Sequence, residues 1–443
     1  MKHLVTKLLF PFLLSLLMFS PLLAAPLLNL NLSLDRDILP AGRNETAIIK
    51  IALDVPAIPI ETTRPPVNLT LVLDRSGSMS GNKIIKAREA AITALRLLGP
   101  QDMFSLVIYD HHVQTLIPPQ SAANSEWLES QIMHIRTGGN TALFGAVSQG
   151  AAEIRKNLNK KFVHRIILLS DGLANVGPST PADLSRLGAA LLKEGISVTT
   201  IGIGTDFNED LMTGLADRSD GNHYFVESSV DLPRIFASEL GDVLSVVASK
   251  ITIELETPDN VRPLRIIGRE GRINGNRVEI HLNQLYGGQQ KYALIEVAVQ
   301  PGQADQILKI ANARCNYENA FTNQPEHTSA KAQIRFSTHP EEVLQSANKP
   351  VLKAVIANEI AASRDRALDL YNAGNKAEAI TEIRESSSRL KAQSSSLGFS
   401  DLSDQAEAFA DDAETFASPI LPSAVKKEIR SKSYNVRKQQ KDY

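Results

Sequence analysis

The stretch Leu69-Thr70-Leu71-Val72-Leu73-Asp74-Arg75-Ser76-Gly77-Ser78 runs from an apolar strand directly into a loop carrying one carboxylate and two hydroxyls. In an extended segment, side chains at i, i+2 and i+4 project to one side. Asp74, Ser76 and Ser78 are therefore expected to converge on one point. An all-oxygen set suits a hard divalent cation such as Mg²⁺, which demands octahedral oxygen and keeps several waters. Three side chains leave such a site incomplete, and further oxygens follow downstream. Thr141 stands in Thr137-Gly138-Gly139-Asn140-Thr141, and Asp171 in Leu168-Leu169-Ser170-Asp171-Gly172, after an apolar run over residues 166–169.

Together these residues resemble the von Willebrand factor type A domain with its metal-ion-dependent adhesion site, whose pattern is Asp-x-Ser-x-Ser, then a Thr, then an Asp before Gly. The resemblance spans about residues 66–247 and includes Ile201-Gly202-Ile203-Gly204-Thr205-Asp206, a turn after a late strand. It implies Ser76, Ser78 and Thr141 as direct ligands, with Asp74 and Asp171 holding metal-bound water or ligating directly. It also implies Mg²⁺ as the cation, with Mn²⁺ or Ca²⁺ as substitutes, and a protein partner offering an Asp or Glu carboxylate. The reading requires Asp74 and Asp171 on one face, with side chains open to solvent. If Ser80 caps the helix after the loop, its positive end also favours an incoming anion.

Outward from the loop, apolar runs alternate with helical stretches. Ile84, Ala87, Ala91, Ala94, Leu95 and Leu98 recur at helical spacing. Strands are predicted over 104–109, 166–169, 197–203 and 223–226, and helices over 142–158, 181–194, 209–216 and 231–247. Such alternation predicts an α/β fold with a doubly wound, mostly parallel sheet, with its site outside the carboxyl ends of the strands. The flanks instead alternate with a period of two: Ile49, Ile51, Leu53 and Val55 before, then Ile251, Ile253, Leu255, Val278, Ile280, Leu282, Ile295, Val297 and Val299 after. Asn274-Gly275 and Gly287-Gly288 supply turns, and 333–336 a last strand. A few isolated strands are marginal alone, so both flanks (26–65 and 248–339) are expected to build one β-sandwich, with the metal-binding domain (66–247) inserted into it. Residues 340–418 are predicted helical: a hairpin over 351–370 and 375–393, then a helix near 402–416.

Composition narrows the function classes. A net charge of −2 supplies no basic field, which excludes nucleic acid as a partner. A basic segment, 419–443, carries Lys426, Lys427, Arg430, Lys432, Arg437, Lys438 and Lys441. It reads as a solvated, partly disordered tail, with a binding site for an acidic partner as the alternative, and peripheral membrane or envelope association is left open. Residues 1–25 read as a signal peptide: Lys2 and Lys7, then an apolar stretch over 8–23, then Ala24-Ala25. That predicts a secreted protein, periplasmic or at the cell surface; an uncleaved anchor is the alternative. Cys315 is the only cysteine, so no internal disulfide forms; it is expected to be a small buried hydrophobe.

Catalytic patterns are sparse. His111-His112 beside Asp110 reads as a solvated loop pair, with a metal or base as the alternative, and Gly202-x-Gly204 lacks the third glycine of a dinucleotide loop. No nucleophile–base–orienter set is visible. The expected function is non-enzymatic, metal-dependent protein binding or adhesion. The alternatives are an accessory subunit of a larger envelope complex and, behind it, a metal-dependent hydrolase.

Overall fold

In the strand that ends at Asp74, Leu69, Leu71 and Leu73 pack to one side and Val72 to the other, and every residue from Val67 to Asp74 is buried. Burial on both faces is the mark of a central parallel strand covered by helices on each side. A computed structural model of the chain describes residues 27–57, 64–158 and 161–440. The predicted signal segment, 1–25, and Lys441 lie outside the described residues.

The first flank contributes β1 (Asn29–Leu34), β2 (Ile38–Pro40) and β3 (Glu45–Asp54). The central unit follows: β4 (Val67–Asp74), α1 (Asn82–Leu97), β5 (Met103–Tyr109), β6 (Val113–Ser121), α2 (Ser125–Met133), α3 (Leu143–Arg155) and β7 (Val163–Ser170). It continues through α4 (Pro181–Lys193), β8 (Ile196–Ile203), α5 (Glu209–Arg218), β9 (His223–Val226) and α6 (Leu232–Leu244). Its sheet has the order β6-β5-β4-β7-β8-β9. All neighbours are parallel except β5–β6. Helices α1, α2 and α6 cover one face, and α3, α4 and α5 the other. The chain leaves β4 in one direction to β5 and resumes on its other side at β7, so β4 ends at the switch point of strand order. The predicted doubly wound sheet is the observed one.

The second flank supplies β10 (Val246–Glu256), β11 (Val261–Ile267), β12 (Arg272–Asn274), β13 (Arg277–Tyr286), β14 (Gln290–Val299), β15 (Ile307–Asn319) and β16 (Pro325–Ser337). Two antiparallel-rich sheets result, β1-β3-β14-β11 and β12-β13-β10-β15-β16-β2. Both contain strands from each flank: β3 pairs with β14 from Glu45↔Val299 to Asp54↔Gln290, and β2 with β16. The inserted α/β unit in a sandwich of both flanks is therefore realised. Cys315 is fully buried in the sandwich core, and burial pushes its thiol up to about 12.

Helices α7 (Pro340–Gln345), α8 (Lys349–Asn372), α9 (Lys376–Ser396), α10 (Ser400–Ala408), α11 (Asp412–Ala417) and α12 (Ser423–Lys438) complete the chain. The helix expected near 402–416 is divided by a 3₁₀ turn at Phe409–Asp411.

Two expectations need correction, and three elements were not expected. The closing helix stops at Leu244, because Val246 and Val247 enter β10, where Val246 pairs with Tyr286. Strands β6 and β15 and helix α2 lie outside the expected elements; β6 carries Pro118-Pro119, which its edge position tolerates. The basic segment is no solvated tail. Helix α12 lies against α8, α5 and β9, with Lys427, Arg430 and Lys438 buried. Lys427 pairs with Glu209 at 2.8 Å, Arg430 with Asp210, Asp365 and Asp369, and Lys438 with Asp217 at 2.8 Å. Its acidic complement comes from two distant elements, which a local charge count does not see. Among the described residues, no helix is long and apolar enough to cross a membrane.

Candidate metal centre

Three loops meet where β4 and β7 end. Backbone bonds stitch them together: Arg75 N donates to Tyr109 O (2.8 Å), Gly138 N to Arg75 O (2.8 Å) and Gly77 N to Gly139 O (3.1 Å). The third loop is tied in by Thr141 N donating to Asn175 Oδ1 (2.8 Å) and Asn175 N donating to Thr141 O (3.1 Å). Helix α3, which begins two residues after Thr141, sits close on β4 because Gly150 has no side chain there; a Cβ would lie 2.7 Å from Val72 Cγ2.

All five expected residues face this junction. Asp74 Oδ1 accepts from Ser76 N (2.8 Å), and its Oδ2 accepts from Ser170 Oγ (2.7 Å). The hydroxyls of Ser76 and Ser78 are 3.0 Å apart, and Ser78 Oγ donates to Asp171 Oδ1 (2.7 Å). Gly172 marks the centre: a Cβ on it would meet Thr141 Oγ1 at 3.2 Å, Ser78 Oγ at 3.5 Å and Ser76 Oγ at 4.0 Å. A side chain at 172 would occupy the space into which the hydroxyls point.

Asp74 and Asp171 share one face but are fully buried, contrary to the expectation that they reach solvent. Ser76 and Thr141 cover them, and Ser78 is the exposed member. The carboxylates thus form a floor reached past a hydroxyl rim. Burial pushes the Asp74 carboxyl up to about 6, against hydrogen bonds from Ser170 and Ser76 that pull it down. Lys83 Nζ stands 2.5 Å from Asp171 Oδ2, whereas Arg75, the cation inside the loop, turns away to Asp110 (3.1 Å). Two buried acids thus face one ammonium. Hard oxygen donors, an excess of negative charge and space held open at Gly172 all fit a divalent cation.

Ser170, Lys83 and Asn175 escaped the sequence reading. Ser170 adjoins Asp171, yet nothing local says that its hydroxyl turns back to Asp74; Lys83 and Asn175 are ordinary polar residues until folding brings them close. Ser80 does not cap α1: its hydroxyl donates to Gly77 O (2.7 Å), and Gly81 holds the cap position at φ 76°. A cavity of about 530 Å³ lies elsewhere, between the sandwich and α8–α9.

Residues 68–238 match the von Willebrand factor type A domain, and this part of the chain is such a domain. The uncharacterized protein YfbK of Escherichia coli (strain K12) is 26% identical over 211 residues, covering 47% of this chain and 37% of that protein. The chain therefore spans well under two thirds of that relative's length. A von Willebrand factor type A structure from Catenulispora acidiphila superposes with a TM-score of 0.66 at 18% identity, covering 83% of this chain and 88% of that one. The ArnB paralog VWA2 from Sulfolobus acidocaldarius gives 0.60 at 18% identity, covering 92% and 99%. At such identity the likeness is one of fold, and it extends well beyond the central domain.

Proposed function

We propose that this chain is a secreted, non-enzymatic protein-binding module in which Asp74, Ser76, Ser78, Thr141 and Asp171 hold Mg²⁺, with Mn²⁺ or Ca²⁺ as substitutes. The observation that carries this reading is the convergence of three hydroxyls on Gly172 above two buried carboxylates. When bound, the cation supplies a charge-assisted link to an Asp or Glu carboxylate of a protein partner. The chain's own residues prepare that link. Ser170 and the Ser76 amide fix the Asp74 carboxylate and Ser78 presents the accessible hydroxyl, whereas Lys83 on Asp171 Oδ2 competes with the ion for that oxygen. The hydrogen bonds among Ser76, Ser78 and Asp171 already hold the oxygens at close range, so little rearrangement is needed to receive an ion. In this proposal residues 66–247 form the binding domain, 26–65 and 248–339 its sandwich support, and 340–440 a helical buttress that includes the basic helix α12.

Isothermal titration with Mg²⁺ tests the assignment. Asp74→Ala and Thr141→Ala should each weaken binding by at least about 10-fold while far-ultraviolet circular dichroism stays unchanged. Unaltered Mg²⁺ binding in both variants would refute it. Partner capture from a cell-envelope extract should disappear in EDTA and return with Mg²⁺ or Mn²⁺; capture indifferent to the chelator would move the binding surface away from the metal loop.

A further inference from the structure

The hairpin turn between β5 and β6 carries Asp110, His111 and His112, whose ligand atoms all lie within 4.8 Å of one another. We propose that these three side chains form a second cation site, separate from the oxygen site and suited to a late first-row divalent ion such as Zn²⁺.

The Asp110 carboxylate is nearly buried and held in place from two sides. Its Oδ2 pairs with Arg75 Nη2 at 3.1 Å. Its Oδ1 accepts the His112 amide at 2.7 Å and also faces both rings, 3.3 Å from His111 Nδ1 and 3.9 Å from His112 Nδ1. The ring centroids are 4.0 Å apart. One carboxylate oxygen is therefore fixed by a guanidinium while the other looks at two imidazoles, the outer-shell support that ligating carboxylates carry in metal sites.

The neighbouring loop makes room for this arrangement. Gly139 has φ +77°, and a Cβ on it would fall 2.1 Å from His111 Nδ1 and 3.0 Å from Asp110 Cβ. Any side chain there would push the His111 ring away from Asp110. The rings remain half-exposed or more, at 48% and 76%, so an ion and its waters have access.

Donor chemistry separates the two sites. Imidazole with carboxylate suits Zn²⁺, Co²⁺, Ni²⁺ or Cu²⁺, whereas carboxylate and hydroxyl oxygens suit Mg²⁺ and Mn²⁺. Arg75 stands between them, with its backbone in the oxygen-site loop and its guanidinium on Asp110. Each site can thus be filled by its own class of ion.

Cobalt titration of the full chain in excess Mg²⁺ tests this proposal. Nitrogen-ligated Co²⁺ of low coordination number absorbs strongly in the visible range, and octahedral all-oxygen Co²⁺ only faintly. Wild type should develop one equivalent of strong absorbance that Zn²⁺ abolishes. His111→Ala/His112→Ala should lose it entirely with its melting temperature in EDTA unchanged, because both rings are at the surface. Asp74→Ala should keep it, which separates this site from the oxygen site. A wild type without the band, or a double-histidine variant that retains it, would overturn the proposal.

Discussion

Two polar clusters lie in the same parallel sheet, one at the carboxyl ends of its strands and one deeper inside. In the first, Asp74 and Asp171 face a single ammonium, and an exposed Ser78 stands over them. In the second, Arg165 of β7 and Glu239 of α6 are fully buried 3.5 Å apart. Thr199, Asn222 and Tyr224 donate to Glu239 at 2.5, 2.8 and 3.0 Å. Arg165 donates to Thr199 and to Gln284 and Tyr286 of β13. The inner cluster pairs a cation with an anion and surrounds both with neutral donors and acceptors, leaving Arg165 Nε without a partner, and in doing so ties β7, β8, α6 and the sandwich together. The outer cluster is left with surplus negative charge and an opening. Polar residues buried in one sheet thus serve as scaffold where charge closes on itself, and as a site where it does not.

The largest expected effect is on the sealed cluster. Glu239→Ala leaves the buried Arg165 guanidinium without its carboxylate, with only the neutral Thr199, Gln284 and Tyr286 as acceptors, and should destabilise the chain by about 3–5 kcal/mol, read from urea unfolding. Arg165→Met/Glu239→Leu, which removes both charges, should recover most of that loss. A Glu239→Ala protein as stable as wild type would erase the distinction between the clusters.

Acid should find the sealed side next. Burial holds His164 down to about 4 and His223 down to about 3, whereas in the unfolded chain each takes its proton near pH 6.5. Below pH 6.5 the unfolded state binds protons that the fold refuses, so stability falls as pH drops from about 6.5 towards 4. His164 alone accounts for up to about 3 kcal/mol of this. Asp35 and Asp74, each pushed up to about 6 by burial, have the opposite slope between about pH 4 and 6 and offset part of it. Urea unfolding at pH 7 and 4.5 should show the loss, and His164→Asn should reduce it. A variant with an unchanged acid slope would assign the loss to other groups.

The open cluster gives the smallest and most diagnostic change. Lys83→Met removes the one ammonium beside Asp171 and should tighten Mg²⁺ by about tenfold, or about 1.4 kcal/mol, after discounting for its partial exposure. Calorimetry in parallel with Asp74→Ala would show the two substitutions moving affinity in opposite directions. Weaker Mg²⁺ binding in Lys83→Met would mean that the lysine orients Asp171 more than it competes with the ion.

Legibility in the sequence follows the range of the interaction. Asp74, Ser76 and Ser78 were readable as one cluster from their close spacing, although Gly77–Met79 forms a 3₁₀ turn in place of the extended segment expected. The parallel sheet was readable because apolar runs alternate with helical stretches along the central unit, the pattern of a doubly wound fold. Strand β6 was not, because Pro118-Pro119 breaks the usual strand signature and only its edge position permits it. The basic residues of α12 look solvated in isolation, since the acids that neutralise them come from α5 and α8. Ser170 reads as a neighbour of Asp171, yet its hydroxyl serves Asp74, on a strand 96 residues away in sequence.

By itself the amino-acid order determined the α/β class and the grouping of Asp74, Ser76 and Ser78, because periodicity and local spacing act within a few residues; Thr141 and Asp171 entered through the resemblance to the von Willebrand factor type A pattern, and the shared sandwich through the marginal stability of isolated strands. Tertiary packing alone decided how deep the carboxylates sit, which ammonium faces them, that Gly139 shelters a histidine ring, and that the basic segment is a buried helix. Burial, charge balance and cavity shape are sums over residues far apart in the chain, and no local pattern contains such a sum.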